Sequence, residues 1–83
     1  MNNFELVTSL IKTQLTDAKV HVTDMTGTED HLEITIASDA FKGKMLLQQH
    51  RIIMDILAEA LSGPVHAVKL KTMTLDKYTG ENT

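Results

Sequence analysis

The chain of 83 residues contains no cysteine and no tryptophan. Without cysteine there are no disulfide staples, no thiol redox catalysis and no thiolate-rich metal site. The aromatic side chains are Phe4, Phe41 and Tyr78, a poor set of stacking surfaces for nucleic-acid bases. Positive charge is not in excess. The formal net charge is −3, which argues against a non-specific binder of phosphate backbones, although local basic patches remain available. No apolar run approaches the roughly 20 residues that cross a bilayer. The start, Met1-Asn2-Asn3-Phe4-Glu5, lacks the positive and then apolar regions of a signal peptide, so no membrane association is expected and the default compartment is the cytoplasm. Internal repeats and low-complexity stretches are also absent.

What is present is an ordinary globular composition, 42% hydrophobic and 23% charged, at a length that suits one domain and not two. A single domain over residues 1–80 is expected, with 81–83 as a frayed tail. Residues 3–16 read as an amphipathic helix, because Val7, Ile11 and Leu15 step by four and Leu6 and Leu10 widen the stripe. Asn2 or Asn3 can cap it, with Glu5 three after Asn2 as in a capping box. Residues 19–24 alternate, and residues 31–37 alternate cleanly with Leu32, Ile34 and Ile36 on one face. The polar loop around Gly27 joins them as an antiparallel hairpin.

Ser38-Asp39-Ala40-Phe41 starts a single helical turn that Gly43 ends. Residues 45–61 carry the strongest helix signal, with Leu46, Leu47, His50, Ile53, Met54, Leu57 and Leu61 on one stripe, and Ser62-Gly63-Pro64 stops it. Val65 to Thr72 form a third strand, with Val68 and Leu70 inward and Lys69 and Lys71 outward. A short helix is expected near Thr74–Tyr78. The order is α-β-β-α-α-β(-α). The mostly helical stretch between the second and third strands is long enough for a crossover, which makes those strands parallel. One apolar face per strand predicts an α+β fold: a three-stranded mixed sheet with helices on one face.

That topology already brings chemistry together. Parallel neighbours share the edge where both begin, His31 opens the second strand and His66 opens the third. The Gly27 loop belongs to the same edge. Two imidazoles therefore gather at one end of the molecule.

The segment from His31 to Tyr78 resembles the BolA family. The matching elements are Phe41-Lys42-Gly43 after the second strand, Gln49-His50-Arg51 early in the long helix, Val65-His66-Ala67 at the third strand and Thr72-Met73-Thr74-Leu75 near the end. They occur in family order and spacing along nearly the whole chain, and the short loop and small size look more like the IbaG-type branch. Three departures stand out. Gln49 replaces the first Arg of an Arg-His-Arg, Leu75 replaces a Pro, and residues 24–30 hold neither the Cys nor the His that many relatives use as a second cluster ligand. The resemblance implies a class II KH-like fold and a non-enzymatic adaptor. Such an adaptor binds a monothiol glutaredoxin and shares a bridged 2Fe–2S cluster with it and with glutathione, in iron–sulfur trafficking or iron homeostasis. The isolated chain would carry no cofactor of its own. By that resemblance His66 is the metal ligand, whereas His31 matches the histidine that closes the loop in relatives and is not the residue usually named as ligand. Its place on the same sheet edge as His66 makes His31, or else an exogenous ligand, the candidate to complete the site.

Plainer readings stand beside these. His66 next to a strand start is also what an exposed edge residue looks like, and His31 has the outward parity of simple solvent exposure. His50 sits on the apolar stripe and reads as a half-buried structural ring with one hydrogen bond; His21 reads as surface. Met45, Met54 and Met73 read as gap-filling residues and not a copper site. Lys42-Gly43-Lys44 lacks the full phosphate-loop spacing. The competing function is that of a KH-like DNA-binding transcriptional regulator, with Lys42, Lys44, Arg51, Lys69 and Lys71 as the basic candidates. DNA and a weak homodimer are thus further candidate partners. No Ser/His/Asp or Cys/His pairing suggests an enzyme.

Overall fold

Asn2 begins the first helix as its spacing to Glu5 predicts. The Asn2 side-chain oxygen accepts the Glu5 backbone N–H at 2.8 Å, and the Glu5 carboxylate accepts the Asn2 N–H at 3.2 Å. In the computed structural model, which describes residues 2–27, 31–63 and 65–78, helix α1 spans Asn3–Gln14. It ends two residues earlier than expected because Leu15 leaves helical angles (φ −120°, ψ 87°). Val7 and Ile11 are fully buried, and Phe4, Leu6, Leu10 and Leu15 pack partly against the same core.

Strands β1 (Lys19–Asp24) and β2 (His31–Ala37) pair antiparallel, with Val20 opposite Ile36 and Val22 opposite Ile34. Strand β3 (Ala67–Met73) pairs parallel with β2, Leu32 opposite Val68 and Ile34 opposite Leu70, so β2 lies in the middle. The mixed three-stranded sheet is as expected. Its register puts Val20, Val22, Leu32, Ile34, Ile36, Val68 and Leu70 on one face, where they join α1 residues, Phe41, Ile53 and Leu57 in one cluster. Each fully buried Leu or Ile side chain contributes about 1.5–3 kcal/mol. Lys19, His21, Thr23, Glu33, Lys69 and Lys71 occupy the opposite face.

A 3₁₀ turn, Asp39–Phe41, follows β2 and drops Phe41 into the core. Ser38 organises it. Its hydroxyl oxygen accepts the Ala40 N–H at 3.1 Å and its O–H donates to Asp17 at 2.6 Å, while the other Asp17 oxygen accepts the Asp39 N–H at 2.8 Å. Asp17 thus ties the approach to β1 to the exit from β2. The Ser38 hydroxyl first, and then the Asp39 N–H, hold the Asp17 carboxyl below its ordinary value. Gly43 ends the turn at φ +75°, a conformation other residues adopt only under strain.

The long helix expected over 45–61 is two helices, α2 (Leu46–Ile56) and α3 (Ala58–Leu61), separated at Leu57 (φ −90°, ψ 4°). Its stripe is only partly covered. Ile53 and Leu57 are fully buried and His50 and Leu61 half-buried, but Leu46, Leu47 and Met54 are exposed. A helical period defines a face and not what covers it. Here the core takes Ile53, Leu57 and Ala60, with Ile52, Ile56 and Leu61 packed at its margin. The third strand begins at Ala67 and not at Val65. Val65 is instead a fully buried core residue whose N–H donates to the Ala60 carbonyl at 3.1 Å. A second 3₁₀ turn, Leu75–Lys77, stands where a short helix was expected. The expected tail, 81–83, lies outside the described residues. Among the described residues no helix is long and apolar enough to cross a membrane.

Candidate functional site

The beginning of β3 is positioned by its neighbours. Val65 is locked into the core and Ala67 is paired with His31, so His66 between them is held at the surface, exposed. His31 is the first residue of β2 and half-buried; its carbonyl accepts the Met25 N–H at 2.9 Å, extending the hairpin by one pair. The two imidazole rings face each other with centroids 6.2 Å apart and planes inclined by 37°. Strand order alone predicts this juxtaposition. His66 lies one residue ahead of β3, not within it.

The hairpin loop departs from the same end. The Asp24 carboxylate accepts the N–H groups of Thr26 at 3.1 Å and Gly27 at 2.9 Å, and Gly27 takes φ +81°. Thr28, Glu29 and Asp30 lie outside the described residues.

Two imidazoles that bind one metal through nitrogens at about 2.0–2.1 Å place their centroids roughly 5–6.5 Å apart, depending on the angle at the metal. The observed 6.2 Å falls in that range. Among the described residues no group of three or more His, Cys, Asp or Glu side chains can hold a metal ion. Near-tetrahedral binding of one metal would bring the centroids about 1 Å closer than they stand. With no cysteine in the chain, any thiolates must come from elsewhere.

The remaining histidines are apart from this end. His50 is half-buried on α2, and its Nε2 is buried with no hydrogen-bond partner, so the single bond expected there is not made at that nitrogen. His21 lies on the outer face of the sheet, its Nε2 at 3.4 Å from the Thr23 hydroxyl. The basic candidates divide between two surfaces. Lys69 and Lys71 project from the outer sheet face, and the Lys69 amine is 3.7 Å from the Glu33 carboxylate. Lys42 and Lys44 flank Gly43 ahead of α2, and Arg51 is exposed on that helix. The feature missed in sequence is the anchoring role of Val65. A signal for it existed, since Val65 is odd-numbered where the inward Val68 and Leu70 are even, so the three cannot share one face of a regular strand.

Comparison with known proteins agrees with this architecture. A family model described as BolA-like protein matches residues 2–77. The chain is 43% identical over 54 residues to the DNA-binding transcriptional regulator BolA of Escherichia coli (strain K12), across 65% of this chain and 51% of that protein. It is 42% identical over 48 residues to BolA-like protein 1 of Homo sapiens, across 58% of this chain and 35% of that protein. The chain thus spans about half, or less, of the length of these relatives. The solved structure of BolA1 from Arabidopsis thaliana superposes with a TM-score of 0.85 over 95% of this chain and 99% of that one, at 22% identity, a likeness of fold.

Proposed function

The chain belongs to the BolA-like family, and from that premise we propose that it is a non-enzymatic adaptor that joins a monothiol glutaredoxin around a shared 2Fe–2S cluster. The observation that carries this reading is the His31–His66 pair, two imidazoles 6.2 Å apart at one end of a chain without thiols. The cluster is cargo: the glutaredoxin and glutathione supply thiolates, and this chain supplies neutral imidazole. Histidine can replace cysteine on one iron of such a cluster. The surface position of His66 lets a partner approach it, and the buried Val65 keeps the backbone beside it from yielding. The short β1–β2 loop supports a place on the IbaG-type branch.

The test mixes this chain with a cluster-loaded monothiol glutaredoxin and reads visible circular dichroism. The complex is expected to give a spectrum distinct from that of the glutaredoxin alone. A His66→Ala variant with the wild-type spectrum and complex stability overturns the ligand assignment.

DNA binding is a second reading, favoured by the relative in Escherichia coli, which is a DNA-binding transcriptional regulator. Lys42, Lys44, Arg51, Lys69 and Lys71 are its candidate contacts. Affinity would fall steeply with salt and weaken in Lys69→Ala and Lys71→Ala. Absence of binding at low salt removes it.

A further inference from the structure

Met45, Leu46, Leu47 and Met54 are 73%, 59%, 70% and 42% exposed, three large apolar side chains at the start of α2 and a fourth near its C-terminal end. Leu47, Arg51 and Met54 stand at i, i+4 and i+7 and so form one stripe on that helix. Residues 42–54 hold Lys42, Lys44 and Arg51 and no carboxylate, in a chain whose net charge is −3. The acids nearest the stretch are Asp39, 4.0 Å from the Lys42 amine, Asp55 next along the helix, and Asp76, which also feels the Lys42 charge. This is a basic, apolar helix face on an acidic protein.

Its location matters. The chain reaches α2 from the C-terminal end of β2, and α2 runs back so that its other end leads through α3 to Val65 and His66. A helix of this length spans about 16 Å. Met45, Leu46 and Leu47 therefore lie at the end of α2 that is farther along the chain from His66, and Met54 at the end that leads toward it.

We propose that this face docks a second protein partner, through a helix whose apolar stripe is bordered by carboxylates. A stripe at helical spacing is what another helix packs against, ridge into groove. The flexible thioethers of Met45 and Met54 adapt to such a surface, and the three cations select acidic borders. Nucleic acid is the poorer fit, because the face has no aromatic ring for a base to stack on. A lipid surface is also poorer, since one short helix with three cations falls short of stable anchoring. The inference uses neither histidine and stands independently of the cluster reading.

The test titrates the full chain, followed by amide NMR, with a short synthetic helix carrying leucines at i, i+3, i+4 and i+7 between glutamates. Shifts are expected within residues 42–54 and not at His31 or His66, and added salt should weaken them. Leu47→Gln with Met54→Gln, both at exposed positions and checked for an unchanged amide spectrum, should weaken binding by about tenfold or more. Equal binding of a peptide with lysines in place of the glutamates, or unchanged affinity of the double variant, overturns the proposal. So does a stronger response of this face to phosphatidylserine vesicles or to a DNA oligonucleotide.

Discussion

Two imidazoles on one iron cannot be removed independently, and a double-mutant cycle measures this. His31 is held by its register with Ala67, and the rings stand 6.2 Å apart. Convergence on one iron at a near-tetrahedral angle needs the centroids to close by about 1 Å. A side-chain rotation of about 30° off its rotamer costs on the order of 0.5–1.5 kcal/mol. Removing even a group that only orients a metal ligand costs about 10–100-fold in affinity, so loss of a ligand itself should fall at the upper end, roughly 100-fold or about 2.7 kcal/mol. His31→Ala, His66→Ala and the double variant would be titrated against a cluster-loaded monothiol glutaredoxin by visible circular dichroism. Either single variant should lose most of the complex stability, and the double only a few-fold more, a coupling of about 2 kcal/mol. Urea unfolding supplies the control, since replacement at these positions should shift stability by only about 0.5 kcal/mol. Strictly additive losses, or a His31→Ala variant that behaves as wild type, would refute a shared iron and leave His31 a mere neighbour.

Three further outcomes follow from the packing. Ile53→Ala, at a fully buried position, should lower unfolding free energy by about 2–5 kcal/mol, while Leu47→Ala on the exposed side of the same helix should stay within about 0.5 kcal/mol; equal urea midpoints would contradict the burial pattern. The Asp17 carboxyl, held below its ordinary value of 3.8 by the Ser38 hydroxyl and the Asp39 N–H, stabilises the fold above that value and loses its contribution as pH falls through its lower folded value. Asp17→Asn should accordingly flatten the fall in stability below about pH 4; denaturation midpoints across acidic pH that parallel wild type would argue against the clamp. Gly43→Ala should cost about 1–2 kcal/mol from backbone conformation alone, because an added Cβ meets no atom within 4 Å, and Gly43→Asn should cost less by thermal unfolding.

Much of the fold was legible in the residues. Leu32, Ile34 and Ile36 alternate without interruption, and β2 occupies the expected 31–37. Asn2 and Glu5 announced the helix start by their spacing alone. The long helical connection predicted a parallel pairing, because a chain that crosses over the sheet returns to the same end. His31 and His66 could be placed together on that basis, without any contact being known. Boundaries were less legible. Leu15 looked helical by period but is where α1 ends, and Val65 looked like strand by composition but serves the core.

The amino-acid pattern by itself determined which face each element presents, since side-chain direction is set by local backbone geometry repeating every 2 or 3.6 residues. It also determined the donor set: imidazoles, carboxylates and amines, and no thiol. Tertiary structure alone decided how far each apolar face is covered and how close two distant side chains come. Leu47 and Ile53 both lie on the expected stripe, yet one is exposed and the other fully buried, because burial depends on what lies opposite each turn of the helix. The separation of the two rings likewise depends on the parallel register that sets Ala67 against His31 and on the buried Val65 that holds His66 outward.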